Sequence, residues 1–433
     1  MDNVIELKID ALTYGGRGVG RYDGKAVFVP SVVPGERVLC RIVRDKKRYC
    51  EAELIEVLQA SADRRNPPCR YFPECGGCQW QHLPYPLQLF WKEKIFADTL
   101  VRSAGCDASL ILPIIAAPDE SGYRCRAQIK CRMTSEGMVA GFYQPGSHTI
   151  VDTDICPVLD PVIPPLLHRF RLSIANFSQA DKIHQLDICV DPVGRASLTV
   201  HFSGTDSVGL RTALKGVGSA EKLTMQIETG DAKRTTVSQG PLQMMTPEED
   251  NILQLGFPPG GFIQINLRQN KSLVSEVLKG AIQSGRERVL DLYAGIGNFS
   301  LPLARNCVEV VGVEEYKPGV QAAIRNALSH NLDNVRFIAG RSERVIAQMV
   351  GGQRFETVVL DPPRSGAAPV VKSLLQLQPD RIVYVSCDPS TLARDLLLFK
   401  NGGYRLLSAR PIDMFPQTWH IEGIAVLVRS DNR

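Results

Sequence analysis

Cys387 stands in the run Val385-Ser386-Cys387-Asp388-Pro389. The residues before it, Arg381 to Ser386, read as a strand buried on both faces, and Pro389 to Lys400 read as an amphipathic helix. A parallel strand releases its backbone into the cleft where open α/β sheets hold their ligands. A thiol there either packs as a small apolar group or acts as a nucleophile, and the positive end of the helix would favour its thiolate. Asp388 is expected to cap that helix, with Pro389 at its first position.

Cys69, Cys75 and Cys78 lie close together at C-x5-C-x2-C spacing, and Cys156 precedes Pro157 far downstream. Glycines beside the thiols let the backbone bend around an inorganic centre. Three close cysteines with a remote fourth suit a [4Fe-4S] cluster, and a tetrahedral zinc ion would use the same thiolates. Either would pin the chain near residue 70 to residue 156 and act chiefly as structure.

The chain that must position these groups has 433 residues, 44% of them hydrophobic, a net charge of +4 and 12 cysteines. That length suggests roughly two to four domains with real cores. No apolar run approaches the roughly 20 residues of a membrane span, and Met1 to Glu6 has no leader pattern, so a cytoplasmic location is expected. Grouped cysteines in a reducing compartment bind metal or do catalysis rather than forming disulfides. The net charge is too small to imply nucleic acid, but the positive charge is clustered.

Residues 1–60 read as short strands, Val4 to Ile9, Ala26 to Val29, Arg37 to Val43 and Cys50 to Leu58, which suits a small closed barrel. Gly15 to Gly20 looks like a phosphate loop, but no helix follows and the Lys-Ser/Thr pair is missing, so it reads as a turn. Arg37, Arg41, Arg44, Lys46, Lys47 and Arg48 form either a solvated surface or the nucleic-acid face of an OB-like barrel. This segment resembles the TRAM domain attached to several RNA-modifying enzymes.

Residues 61–255 read as a central mixed domain holding the cysteine group, with a helical stretch at 84–118 placed to pack on the last domain. Arg124, Arg126, Gln128, Lys130 and Arg132 share one face of an alternating strand, and no acid interrupts them, as phosphate binding requires. Tyr123, Cys125, Ala127, Ile129 and Cys131 take the other face, which assigns both cysteines to packing. Residues 181–255 read as strands and turns without a chemical signal.

In residues 256–433 strands alternate with helices, the rhythm of a doubly wound, mostly parallel sheet. The strand Arg288 to Ala294 leads into a turn with Gly295, Gly297, Asn298 and Ser300, and the strand Val308 to Val313 ends at Glu314. Such sheets seat a nucleoside over the glycine turn, with the acid on its ribose. A dehydrogenase would use the same parts, but no nicotinamide chemistry follows. Asp361-Pro362-Pro363-Arg364 instead resembles the fourth motif of S-adenosylmethionine-dependent methyltransferases.

With Phe262 to Asn266, Asp291 to Gly295, Ser386 to Asp395 and His420 to Glu422, these motifs resemble, in order and over nearly the full chain, the RNA uracil-C5 methyltransferases. The similarity is greatest to their iron-sulfur, TRAM-bearing ribosomal branch. It implies methyl transfer from S-adenosylmethionine to C5 of a uridine in RNA, 23S rRNA first. It implies that Gln264, Tyr293, Asn298, Glu314 and Asp361 bind the cofactor or orient substrate, with Cys387 as nucleophile and Glu422 as base. Arg341 stands where an acidic or amide side chain near the adenine is expected, and Gln128 where some relatives carry a base.

The chemistry asks for the same pair. Uracil C5 is a poor nucleophile until a thiolate adds to C6, and a base must then take the C5 proton before the thiolate leaves. If the Asp361 and Cys387 strands are neighbours and the last strand returns antiparallel, donor, nucleophile and base share one edge. The target must be flipped out or single-stranded, with Phe262 or Tyr293 placed to stack. The alternatives are the same reaction on tRNA, methylation of an exocyclic amine, and an RNA-binding iron-sulfur redox sensor with a non-catalytic methyltransferase fold. No membrane and no obligate protein partner is expected.

Overall fold

The computed structural model describes residues 3–218, 223–230, 234–238, 243–247, 252–258 and 261–430. Strands Val4–Lys8, Ala11–Leu12, Gly18–Tyr22, Lys25–Val29, Arg37–Asp45 and Tyr49–Gln59 form one sheet. Its ends meet where Asp10 N–H donates to the Val19 carbonyl at 2.8 Å, closing a barrel around Leu7, Ile9, Val27, Val29 and Val38. Gly18 and Gly20, which the sequence reads as a turn, lie instead in a strand. A Cβ on Gly18 would meet Val32 at 2.3 Å and one on Gly20 the Lys8 carbonyl at 2.1 Å, so only glycine fits the crossing.

The second sheet runs Arg234–Ser238, Leu223–Thr229, Ala196–Phe202, Ile183–Val190, Arg126–Thr134, Gly137–Tyr143, Ile150–Asp152. Helices Ile163–Ile174 and Ser207–Leu214 join its core through Leu166, Phe170, Leu210 and Leu214. Ser207–Leu214 corrects the reading of that stretch as strands and turns: Asp206 caps it, accepting from Gly209 N–H at 2.8 Å, but it is too short for a clear period. The expected positive stripe is also corrected. Asp187 pairs in register with Gln128, Gln185 accepts from the Lys130 ammonium, and Arg124 lies outside the strand, so the adjoining strand supplies the missing acid.

The third sheet runs Val335–Ala339, Glu309–Glu314, Arg288–Leu292, Thr357–Leu360, Arg381–Ser386, Glu422–Arg429, Tyr404–Ile412. The first five strands are parallel, and Glu422–Arg429 is antiparallel to both its neighbours. Order reverses between Arg288–Leu292 and Thr357–Leu360, which leaves a crevice at the strand ends. Leu290, Leu292, Val358, Leu360, Ile382 and Tyr384 load one face, and Val289, Val359, Val383 and Val385 the other. Burial on both faces is why these strands read as unbroken apolar runs.

Helix Tyr85–Ala104 belongs to the first of these cores through Trp91, Ile95, Phe96 and Leu100. Beyond it, Leu112 N–H donates to the Ala409 carbonyl (2.8 Å) and Ile115 N–H to that of Pro411 (3.0 Å), extending the sheet edge. Leu253 and Leu255, before residue 256, pack with Ile296 and Leu301. No helix among the described residues is long and apolar enough to cross a membrane.

Candidate active site

The crevice at the strand-order reversal is a cavity of about 660 Å³. Gln264, Tyr293, Gly295, Asn298, Glu314, Asp361, Cys387 and Glu422 all line it. Gly297 does not: its φ is +92°, and a Cβ there would meet Leu301 at 3.0 Å, so it shapes the turn from behind.

Cys387 and Glu422 are brought together by register. Ser386 pairs with Gly423 across the antiparallel strands, so the next step sets Cys387 opposite Glu422. Glu422 is buried, and burial, with Asp361 adding to it, pushes its carboxyl well above the usual range. Cys387 follows suit. Burial first, then the charge of Glu422, pushes its thiol up to about 12, against the opposing pull of Arg364. This corrects the expectation of a thiolate favoured by the helix: Asp388 caps that helix, its carboxylate accepting from Ser390 N–H (2.8 Å) and Thr391 N–H (3.0 Å), and adds a negative charge beside the sulfur.

The other half of the crevice is anchored by backbone. Glu314 accepts from Gly295 N–H (3.0 Å) and Tyr316 N–H (2.6 Å), which fixes its carboxylate at the strand tip. Asn298 and Asn270 exchange reciprocal amide bonds at 2.8 and 3.0 Å. Asp291 lies beneath, bonded to the Ser300 hydroxyl and pushed up to about 7 by burial. Asp361 is likewise pushed up to about 7, by burial and then by Asp291.

A model described as tRNA (uracil-5-)-methyltransferase matches residues 109–430, and a TRAM domain model matches residues 3–55. The chain belongs to the tRNA (uracil-5-)-methyltransferase family. It is 34% identical to the 23S rRNA (uracil(1939)-C(5))-methyltransferase RlmD of Shewanella amazonensis, covering 98% of this chain and 95% of that one. It is also 34% identical to an uncharacterized RNA methyltransferase of Thermosynechococcus vestitus, covering 98% of each. Among solved structures it is similar to the Pyrococcus abyssi tRNA (uracil-54, C5)-methyltransferase in complex with S-adenosyl-L-homocysteine. That match has 25% identity and a TM-score of 0.76, over 98% of this chain and 100% of that one.

Tyr316 and Phe415, which also line this crevice, escape the sequence reading, and Arg126, Arg364 and His420, read there only within a charged stripe or a motif, are given no place in the site. Phe415 and His420 come from the loop before Glu422. His420 stacks on Trp419 (ring centroids 4.1 Å apart), and burial with Arg364 lowers its pKa to about 4, so it stays neutral. Its signal was its place two residues before Glu422. Phe262, expected to stack, stands 62% exposed on the crevice wall. Arg341 instead precedes helix Ser342–Met349 and pairs with Glu343 at 2.6 Å.

The remaining candidates meet elsewhere. Cys69, Cys75, Cys78 and Cys156 line one small cavity with Phe72, Gln81 and Arg124. Burial pushes Cys75 and Cys156 up and Cys78 up to about 12, while Arg124 draws all three down. Among the described residues no group of three or more His, Cys, Asp or Glu side chains closes as a metal-ligand set. Cys125 and Cys131 are buried in separate apolar clusters.

Proposed function

We propose that this enzyme methylates C5 of a uridine in 23S rRNA, with S-adenosylmethionine as donor and Cys387 as covalent nucleophile. The observation that carries the reading is that Cys387 and Glu422, each one step beyond the Ser386–Gly423 pair, line one crevice with Asp361 and Glu314. The ribosomal target draws on the similarity to RlmD along nearly the whole of both chains.

Glu314 would take the ribose hydroxyls, over the turn of Gly295 and Gly297, with Gln264, Tyr293, Asn298 and Asp361 around the rest of the donor. Bound there, S-adenosylmethionine supplies an electrophilic methyl group. Cys387 gives its proton to water and its sulfur adds to C6, so that the C5=C6 electrons become nucleophilic at C5 and form the new bond to methyl carbon as the bond from that carbon to the donor's sulfonium sulfur breaks, its electron pair staying on the departing sulfur. Glu422 then takes the C5 proton. The electrons of that C–H bond restore C5=C6, and the C6–S pair returns to sulfur. A buried carboxylate with a raised pKa is a stronger base than one in water, which suits Glu422 to the abstraction.

Cys69, Cys75, Cys78 and Cys156 fit a [4Fe-4S] cluster: the donor set is all thiol, on one cavity, and Gly76 and Gly77 lie between two of the donors. Such a cluster would brace the chain around the crevice. The basic run of the TRAM barrel, with Arg126 reaching the crevice, would hold the flanking RNA in the cytoplasm.

The test is nucleoside analysis after incubation with labelled S-adenosylmethionine and either 23S rRNA or tRNA. C5-methyluridine from the ribosomal RNA is expected. Label in tRNA alone would overturn the target, and label on an exocyclic amine the reaction.

A further inference from the structure

The TRAM barrel does not stop at the RNA side of the molecule. Its turn after Ala11–Leu12 carries Tyr14, whose hydroxyl donates to Asp388 Oδ2 at 3.0 Å, across 374 positions of sequence. Asp388 adjoins the nucleophile. Its other oxygen, Oδ1, caps helix Pro389–Asn401, and its backbone N–H donates to the Ser386 hydroxyl oxygen at 3.3 Å. Both carboxylate oxygens are therefore committed, one to the helix and one to the barrel.

The turn is seated firmly. The Tyr14 ring meets Trp419 edge-on at 4.8 Å, Trp80 Nε1–H donates to the Gly16 carbonyl at 3.1 Å, and a Cβ on Gly16 would meet Trp419 at 2.7 Å. Burial and Asp388 together raise the Tyr14 pKa, so the phenol stays a donor. Tyr14 does not line the crevice.

We infer that Tyr14 is a positioning residue for Cys387: docked by the barrel, it holds Asp388 and with it the turn that aims the sulfur. The inference rests on the proposed role of Cys387. The RNA-binding barrel is thereby a structural part of the catalytic site rather than only a tether.

Tyr14→Phe keeps the ring against Trp419 and removes only the hydroxyl. In the full-length enzyme it is expected to lower kcat about tenfold, the effect of losing one hydrogen bond to a charged group, with KM and Kd for RNA unchanged. The rate of iodoacetamide alkylation of Cys387, followed on its own peptide without RNA, should also change. Asp388→Ser retains a helix cap but cannot reach Tyr14. If the two act through each other, the double variant loses no more than the worse single variant. An unchanged kcat and alkylation rate, a loss confined to RNA affinity, or fully multiplicative losses would each overturn the inference. Wild-type enzyme that makes no C5-methyluridine would instead overturn the proposed function, and the alkylation comparison would still read the Tyr14 contact.

Discussion

Lys92 and Asp413 form an ion pair at 2.6 Å with both side chains fully buried. Lys92 also donates to the Phe415 carbonyl at 3.0 Å, so helix Tyr85–Ala104 holds the loop that brings Phe415 and His420 into the crevice. Burial lowers the Lys92 pKa, and Asp413 opposes that shift. Lys92→Met leaves the Asp413 charge buried without its partner, so a loss of about 3–5 kcal/mol is expected, measured as a lower urea midpoint at constant slope. Lys92→Met with Asp413→Leu should recover most of it. A single variant as stable as wild type would mean that water reaches Asp413.

The Cys387 thiol, pushed up to about 12, is protonated at rest. Its alkylation rate in the absence of RNA should therefore climb about tenfold per pH unit between about pH 7 and 10, because only the thiolate reacts. A rate that levels off near pH 7 would mean that the helix does favour the thiolate.

Asp291 holds its proton longer in the folded protein than in the unfolded chain, since burial raises it from 3.8 to about 7. Its contribution to stability is complete below pH 3.8 and is lost as pH rises through about 7. Asp291→Asn removes this dependence. The variant should gain in Tm over wild type from about pH 5 to pH 8, and a difference constant with pH would contradict the assignment.

Anaerobically purified protein should carry about four iron and four sulfide per chain, with visible absorbance, if the four thiols hold the proposed cluster. Cys78→Ala should lose both. Zinc without absorbance would replace the cluster with a tetrahedral site on the same cysteines.

Much of the crevice was legible because parallel strands buried on both faces leave long apolar runs, each ending at a single polar residue: Glu314, Asp361 and Cys387. Glu422 could be placed by topology, since a returning antiparallel strand must start at that edge. What the sequence hid is what arises between distant segments. Gly18 and Gly20 look like turn residues until the barrel crossing makes a Cβ impossible. Helix Ser207–Leu214 is too short to show its period. The charged stripe seemed free of acid because Asp187 lies on the next strand. Tyr14 gave no signal, its partner being 374 residues away. The Cys387 thiol was misjudged because the helix dipole is local and visible, whereas burial and Glu422 are tertiary.

Covalent catalysis by Cys387 with proton removal by Glu422 is tested most directly by trapping. Glu422→Gln, mixed with 23S rRNA and S-adenosylmethionine, should accumulate a protein–RNA adduct that survives denaturation and carries the transferred methyl group, because the C5 proton cannot leave and the thiolate is not expelled. Adding Cys387→Ala should abolish the adduct. Normal turnover by Glu422→Gln, or methylation by Cys387→Ala at the wild-type rate, would contradict this pair of roles.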